Sequence, residues 1–258
     1  MSLATPGWRA WLLCLAVLIL PGRCPATTVA AAADLQFALA EIVADYRRTT
    51  GRQVSVAYGS SGHFARQIAQ GAPFELFISA DEEYVLRLAA QGRLRDTGRL
   101  YAIGRLALLV PHGSPLTADE RLSGLAAAIA DGRLRRLAIA NPEHAPYGRA
   151  ARAALEHAGL WSALQGRLVL GDNVAQAAQF ALSGSAEGGI VAWSLSRSPE
   201  LARRSSAVLI PAAWHPPIRQ RMALTRGADE AAAHFFDYLQ QPAARAVLAR
   251  YGFLLPEN

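Results

Sequence analysis

Four short segments combine small and hydrogen-bonding residues at positions where a predicted helix begins. They are Ala33-Asp34, Gly59-Ser60-Ser61-Gly62, Pro146-Tyr147-Gly148 and Asp172-Asn173-Val174. The first turn of a helix has N–H groups without intrahelical acceptors and carries the positive end of the helix dipole. Several such turns that converge on one point could therefore bind an anion without any Lys or Arg.

The Gly-Ser-Ser-Gly turn is the most informative of the four. Glycines let the backbone approach a ligand closely, and the hydroxyls of Ser60 and Ser61 add hydrogen-bond donors. Plain N-capping by either serine is the alternative, and on the motif alone it is favoured. The turn needs support from the rest of the chain before it indicates a binding site.

Predicted strands and helices alternate along most of the chain, which is typical of an α/β fold with parallel strands. In a first series, strands at 28–33, 54–58 and 74–79 are each followed by a helix. A second series contains strands at 106–110, 137–140, 167–170 and 189–193. The tail adds strands at 207–210 and 219–225, and then helices at 230–240 and 242–250.

The simplest arrangement of these elements is two α/β lobes joined by a hinge. We predict that the chain crosses between them near 103–106 and again near 209–212, so that its tail completes the first lobe. Residues 27–104 and 210–258 then form lobe I, and residues 105–209 form lobe II. Ligands of open α/β sheets bind beyond the carboxyl ends of the strands, which is where the four turns lie.

The N-terminal 26 residues have the pattern of a cleavable signal peptide. Arg9 precedes an apolar run from Ala10 to Leu20, which is too short to span a membrane, and we expect cleavage after Ala26. We therefore expect a secreted protein. Cys14 and Cys24 both lie in this segment, so the mature chain would have no disulfide.

Charge and motifs exclude several functional classes. The 258 residues carry a formal charge of +6, which falls to +4 when Arg9 and Arg23 are removed, and the arginines form no basic stripe for nucleic acid. Nucleotide-binding, zinc-protease and serine-hydrolase motifs are absent, so we expect no enzyme. Ser61 with His63 or His144 is the nearest approach to a nucleophile and base, which leaves a hydrolase as a less favoured alternative.

Several segments together resemble the periplasmic molybdate-binding proteins. The similar stretches are Ala30–Leu35, Tyr58–Gly62, Ala65–Ile68, Gly71–Pro73, Leu76–Asp81, Asn141–His144 with Pro146 and Gly148, and Tyr251–Phe253. They extend over essentially the whole mature chain. The resemblance implies a type II periplasmic binding-protein fold that closes on molybdate or tungstate in the cleft between its lobes.

The resemblance also implies partners and ligand residues. It makes the chain the monomeric solute-binding component of an ABC importer, with a membrane permease as partner and no cofactor. The ligand positions of the family fall on Asp34, Ser61, Tyr147, Val174 and Ala192, and Ser60 is a further candidate. Molybdenum would be bound only as the oxyanion, with no direct protein ligand to the metal.

Two positions depart from the family pattern. Asp34 stands where a hydroxyl residue is common, and Ala192 stands where Tyr can occur. At an effective dielectric of about 20, a carboxylate about 4 Å from a dianion is repelled by roughly 8 kcal/mol. We therefore expect the Asp34 side chain to turn away and cap its helix, and we expect Tyr147, Ser60 or Ser194 to replace the donor lost at Ala192, with Tyr147 the first choice.

Other ligands remain open as alternatives. If Asp34 instead faces the ligand, it favours an oxyanion that brings a proton to share, such as hydrogen phosphate; sulfate is a further candidate. An organic anion would need a positive partner, for which Arg66 and Arg149 are available near two of the turns. The expected mechanism is hinge closure, in which an anion docked on one lobe is enclosed by the other.

Overall fold

Ten strands form two five-stranded sheets in the computed structural model, which describes residues 26–256. The strands are β1 (Thr27–Ala32), β2 (Val54–Gly59), β3 (Leu76–Ser79), β4 (Arg99–Gly104), β5 (Leu106–Pro111), β6 (Leu137–Ala140), β7 (Leu168–Gly171), β8 (Gly188–Ala192), β9 (Ser205–Leu209) and β10 (Ile218–Leu224). Each sheet is the centre of one lobe. The first lobe contains the sheet ordered β2-β1-β3-β10-β4, and the second contains β7-β6-β8-β5-β9.

Both sheets are mixed: the parallel strands that the strand-helix alternation predicts are present, and each sheet also contains antiparallel pairs. β1 runs parallel to β2 and β3, and β6 runs parallel to β7 and β8. β10 is antiparallel to β3 and β4, and β5 is antiparallel to β8 and β9. The antiparallel strands are those next to the crossings between lobes, where the chain enters a sheet without a helical crossover.

The helices flank these sheets. They are α1 (Gln36–Thr50), α2 (Ser61–Ala69), α3 (Glu82–Ala90), α4 (Ser123–Ala130), α5 (Pro146–His157), α6 (Val174–Leu182), α7 (Trp193–Ser196), α8 (Pro199–Ala202), α9 (Glu230–Tyr238) and α10 (Pro242–Arg250). The sequence did not predict β4, α4, α7 or α8. The two shortest of these have four residues each, too few for a helical period to show.

The core of the first lobe lies on both faces of its sheet. Side chains alternate along a strand, so Val29 and Ala31 pack on one face with α1 and the tail helices, whereas Ala30 packs on the other with α2 and α3. The tail contributes Phe235 and Leu248 to the first of these clusters. A separate cluster fills the second lobe and includes Leu108, Ile139 and Ile190.

The chain passes between the sheets twice. Arg105 separates β4 from β5, and residues 210–217 connect β9 to β10. The limits of the lobes given above stay a prediction. The predicted signal segment lies outside the described residues except for Ala26, and among the residues that are described no helix has the length and hydrophobicity to span a bilayer.

Candidate functional site

Five of the six residues predicted for the site line one small cavity between the lobes. They are Asp34, Ser60, Ser61, Tyr147 and Val174. Ser61 and Val174 are the first residues of α2 and α6, and Tyr147 is the second residue of α5. Because first-turn N–H groups have no intrahelical acceptor, these three positions bring unpaired donors to one place.

Each of these helices follows the carboxyl end of a strand after a short turn. Asp34 lies in a 3-10 turn, Ala33–Leu35, between β1 and α1, and β2 leads into α2 in the same way. In the second lobe, Gly148 lets α5 approach β6, since a Cβ at this residue would lie 2.3 Å from the carbonyl oxygen of Ala140. Each lobe therefore contributes the N-termini of two helical segments to the cavity.

The hydroxyl oxygen of Ser61 is held by a backbone hydrogen bond, and its own proton is left to donate. Its Oγ accepts a hydrogen bond of 2.9 Å from the N–H of Ala80, and the residue is 1% exposed. A hydroxyl that accepts one bond in this way still has its own proton to donate. Ser61 can thus donate to an anion in the cavity while its oxygen is fixed by the backbone.

Asp34 does not cap its own helix, so the capping expectation was wrong. The turn that contains it has no side-chain cap, and Asp34 Oδ2 instead accepts hydrogen bonds from the Tyr147 hydroxyl at 2.9 Å and from Gln220 Nε2 at 2.6 Å. Gln220 Nε2 also lies 3.1 Å from the Tyr147 hydroxyl oxygen. These two donors come from the second lobe and from β10, and together they hold the carboxylate in the cleft.

Burial dominates the electrostatics of Asp34. Loss of solvent raises the pKa of its carboxyl group from 3.8 to about 6, against the opposing effect of Gln220, Tyr147 and nearby backbone N–H groups. Its Oδ1 atom is buried and has no hydrogen-bond partner among the described residues. Burial and the negative charge of Asp34 also raise the pKa of Tyr147 well above its usual value, so this hydroxyl keeps its proton.

The three hydroxyls expected to replace a donor at Ala192 all donate to protein oxygens. Tyr147 donates to Asp34, Ser194 Oγ donates to the Asp34 carbonyl at 2.7 Å, and Ser60 Oγ donates to the His144 carbonyl at 2.7 Å. Ala192 itself is the last residue of β8, is fully buried beside Leu106, and does not line the cavity.

The sequence did not predict a role in the site for Gln220, and for Asn173 it predicted only a place in one of the turns. Gln220 is fully buried, and the signal that could have revealed it is its position between Ile218 and Met222 on the inward face of a strand. Asn173 was placed in a turn, and its Oδ1 caps α6 by accepting from the N–H groups of Ala175 and Gln176, each at 3.0 Å. It leaves the N–H of Val174 to the cavity.

The lobes touch each other directly around this cavity. The N–H of Gly62 donates to the His144 carbonyl at 3.2 Å, and a Cβ on Gly62 would lie 2.4 Å from the same oxygen. Arg149 of the second lobe pairs with Asp81 of the first. His144 therefore braces the closed cleft through its backbone, and the structure has its lobes closed.

The cavity is small and contains little charge. Its volume is about 10 Å³, close to the space that one water needs, so the lobes must separate slightly to admit a larger ion. Asp34 is its one ionisable carboxylate, and no Arg lines it in the part of the chain that the structure describes. The arrangement can bind an anion through neutral donors, and it offers no basic side chain to an organic acid.

The Ser60–His144 contact is the closest approach to a catalytic pair. His144 Nδ1 lies 3.1 Å from Ser60 Oγ, but the serine proton is donated to the carbonyl of the same histidine. Burial and the nearby His63 lower the pKa of His144. Ser61, the nucleophile in the hydrolase alternative, accepts a hydrogen bond from the N–H of Ala80 and bonds to neither histidine.

Comparison with known proteins agrees with this geometry. Residues 27–254 match the family described as bacterial extracellular solute-binding protein. The chain is 34% identical over 240 residues to the molybdate-binding protein ModA of Rhodobacter capsulatus, covering 92% of this chain and 91% of the relative. It is 36% identical over 228 residues to ModA of Azotobacter vinelandii, covering 87% and 88%.

The fold agrees as well. The solved structure of the periplasmic molybdate-binding protein of Azotobacter vinelandii superposes with a TM-score of 0.81 and 32% identity, covering 89% of this chain and 99% of that one. Both the sequence matches and this structural match extend across the two lobes and the cavity between them. The chain therefore belongs to the bacterial extracellular solute-binding protein family, together with the ModA molybdate-binding proteins.

Proposed function

We propose that this protein binds molybdate or tungstate in the cleft between its lobes and delivers the anion to an ABC importer. The observation that carries the proposal is the convergence of the first turns of α2, α5 and α6 on one cavity, at Ser61, Tyr147 and Val174. Neutral N–H and hydroxyl donors of this kind suit a tetrahedral oxyanion. The relatives described above bind molybdate by name, which supports the choice of anion.

The remaining parts of the proposal follow from this one. The protein works in the periplasm after export, as a monomer whose closed form is read by a membrane permease. It needs no resident cofactor, and molybdenum is bound only as its oxyanion, without direct protein ligands to the metal. Ala192 contributes at most through its backbone, since its side chain offers no donor.

Closure provides selectivity between oxyanions. Each buried donor that fails to reach an oxygen costs about 1–3 kcal/mol, so the spacing of the donors when the lobes close decides which anion is preferred. Ser60 and Gly62 are bonded to the His144 carbonyl, and these contacts limit how far the lobes separate around the ligand.

The test is a panel of anions on the protein purified from the periplasm. Molybdate, tungstate, sulfate and phosphate are compared by calorimetry and thermal unfolding. A ligand present at about 1,000 times its Kd adds about 4 kcal/mol to the free energy of unfolding, so we expect a large rise in Tm with molybdate and tungstate. No rise with either anion would refute the proposal.

A protonated oxyanion such as hydrogen phosphate is a second candidate because of one observation. Asp34 Oδ1 is a buried acceptor without a partner among the described residues, and it belongs to a side chain that lines the cavity. A bound anion that carries a proton could donate it to this oxygen. In the same panel, tighter binding of phosphate than of molybdate at neutral pH would favour this candidate.

A further inference from the structure

Two histidines and an aspartate meet at the edge of the closed cleft, outside the oxyanion cavity. His63 lies in α2 of the first lobe, and His144 and Asp172 follow β6 and β7 of the second. One ligand atom from each of the three side chains lies within 4.8 Å of the others. His63 Nδ1 is 3.3 Å from Asp172 Oδ2, and His144 Nε2 is 3.7 Å from Asp172 Oδ1.

The hydrogen bonds of His144 determine which of its nitrogens carries the proton. Ser60 Oγ donates its proton to the His144 carbonyl, so its contact of 3.1 Å with His144 Nδ1 requires the ring to donate. In the neutral ring the lone pair is then on Nε2, the nitrogen that faces Asp172. A lone pair and a carboxylate oxygen face each other, and a cation between them would satisfy both.

This hydrogen-bond pattern is the one that accompanies histidine metal ligands. A ligating imidazole donates its other N–H to an oxygen, which orients the ring and selects the tautomer. Ser60 performs this role for His144. The serine is 3% exposed, so the orientation of the ring is supported from inside the protein.

The donor set indicates the class of metal. Two imidazoles and one carboxylate are a combination that binds Zn²⁺ at about 2.0–2.2 Å, with a fourth position for water. The side chains of His63 and Asp172 are 31% and 53% exposed, so they can rotate towards a common ion. The two rings are stacked, with centroids 3.9 Å apart and planes at 25°, and this rotation would separate them.

We propose that His63, His144 and Asp172 form a site for a divalent transition metal such as Zn²⁺, which joins the two lobes. Only the closed form assembles the site, because His63 belongs to one lobe and the other two ligands belong to the second. Metal binding therefore stabilises closure. By thermodynamic linkage, an oxyanion that closes the cleft raises the affinity for the metal, and the metal raises the affinity for that oxyanion by the same factor. This coupling rests on the proposed function.

The site is tested on the tag-free protein with Zn²⁺ in calorimetry and with Co²⁺ in absorption spectroscopy. We expect one ion per chain, and a visible Co²⁺ spectrum of four-coordinate type. His63→Gln and Asp172→Asn each weaken binding by at least about tenfold, because each removes one of three ligands. His157→Gln is the matched control, since His157 is exposed, stacks on Trp214 and lies outside the cluster.

Absence of binding, or binding that His63→Gln and Asp172→Asn leave unchanged, overturns the site. The coupling is measured by repeating the Zn²⁺ titration at micromolar protein with saturating molybdate, where we expect tighter metal binding. If molybdate binds but leaves the Zn²⁺ affinity unchanged, the joining of the lobes is overturned. If molybdate does not bind, the proposed function fails, while the variants alone still decide the metal site.

Discussion

At the scale of single residues, the site depends on the acceptor to which each hydroxyl group donates its hydrogen bond. Tyr147, Ser60 and Ser194 donate to protein oxygens, whereas Ser61 accepts from Ala80 and retains its proton for a ligand. Four hydroxyls near one cleft therefore have different functions. Three of them hold the lobes or the Asp34 segment together, and one remains available as a donor.

Ser61→Ala should weaken oxyanion binding by about 1–2 kcal/mol, because a buried donor to the anion is lost. It should also lower the free energy of unfolding by about 1–3 kcal/mol, since the N–H of Ala80 loses its acceptor. Calorimetry and denaturant unfolding measure the two effects. Ser196→Ala is the control, because Ser196 is also buried and bonds to the Trp193 carbonyl; an unchanged affinity in Ser61→Ala would remove Ser61 from the site.

Asp34→Asn should stabilise the protein at high pH. The pKa of Asp34 is raised on folding from 3.8 to about 6, so its contribution to stability is fully present below pH 3.8 and is lost as the pH rises through 6. A shift of this size corresponds to about 3 kcal/mol. We expect the free energy of unfolding of the variant to exceed that of the wild type by about 3 kcal/mol at pH 8 and to equal it near pH 4. Urea unfolding at both pH values measures this difference.

The same substitution should remove a pH dependence of ligand binding. Wild-type affinity for a dianion should rise as the pH falls from 8 to 6, because protonation of Asp34 removes its repulsion. Asp34→Asn should show a flat profile, and exposed Asp237→Asn should behave like the wild type. Parallel pH profiles for Asp34→Asn and the wild type would contradict a charge effect of Asp34 on the ligand.

At the scale of elements, the N-terminus of α2 has two roles. Its first residue faces the cavity, and its second, Gly62, donates to the His144 carbonyl of the other lobe. The absence of a side chain at Gly62 is what permits this contact, since a Cβ would lie 2.4 Å from the carbonyl oxygen and 2.7 Å from the Tyr84 hydroxyl. In the proposed function, this single helix turn couples ligand binding to closure.

Gly62→Ala should impair closure without removing any ligand donor. The methyl group clashes with backbone of the opposite lobe, and overpacking of this kind costs about 1–3 kcal/mol. We expect oxyanion affinity to fall by about tenfold or more. X-ray scattering should show a smaller contraction on ligand addition than in the wild type.

Gly227→Ala provides the matched control for Gly62→Ala. A Cβ on Gly227 would meet no atom within 4 Å, and its backbone does not require a positive φ. Both variants add one methyl group, so only the position differs. Normal affinity and normal contraction in Gly62→Ala would exclude this contact from the closing mechanism.

At the scale of the whole molecule, two mixed sheets, each with one strand antiparallel to its two neighbours, are joined by two crossings. The first lobe needs β10 and the tail helices to complete its core, so the fold is finished only when the C-terminal part of the chain returns. The first strand begins at Thr27, whose N–H donates to the Gln53 carbonyl at 3.2 Å and which is 3% exposed.

The mature protein should begin at Thr27. Cleavage after Ala26 leaves β1 complete, whereas cleavage further along would remove residues that pair with β2. Intact-mass spectrometry of the protein from the periplasm should give the mass of residues 27–258. A mass that includes residues 1–26, or one that lacks Thr27 and Thr28, would contradict the predicted signal peptide.

Much of the local organisation could be predicted from the sequence. The bounds of β6, α6 and α10 agree with the prediction. The signals that set them act over a few neighbouring positions: the strand and helix periods, Asn173 before α6, and Pro242 at the start of α10. The turns that begin α2, α5 and α6, at Ser61, Pro146 and Val174, follow from the same local signals. So does the family resemblance, which depends on short segments in a fixed order.

Contacts between distant segments were decided by the tertiary structure. Asp34 was expected to cap its helix, but Tyr147, 113 residues away, and Gln220, 186 residues away, donate to its carboxylate. Local propensity describes what a side chain can do with its own turn, whereas closure of the lobes determines which distant donors reach it. The turns that line the cavity could therefore be predicted from the sequence, whereas the partners of Asp34 and the His63–His144–Asp172 cluster could not.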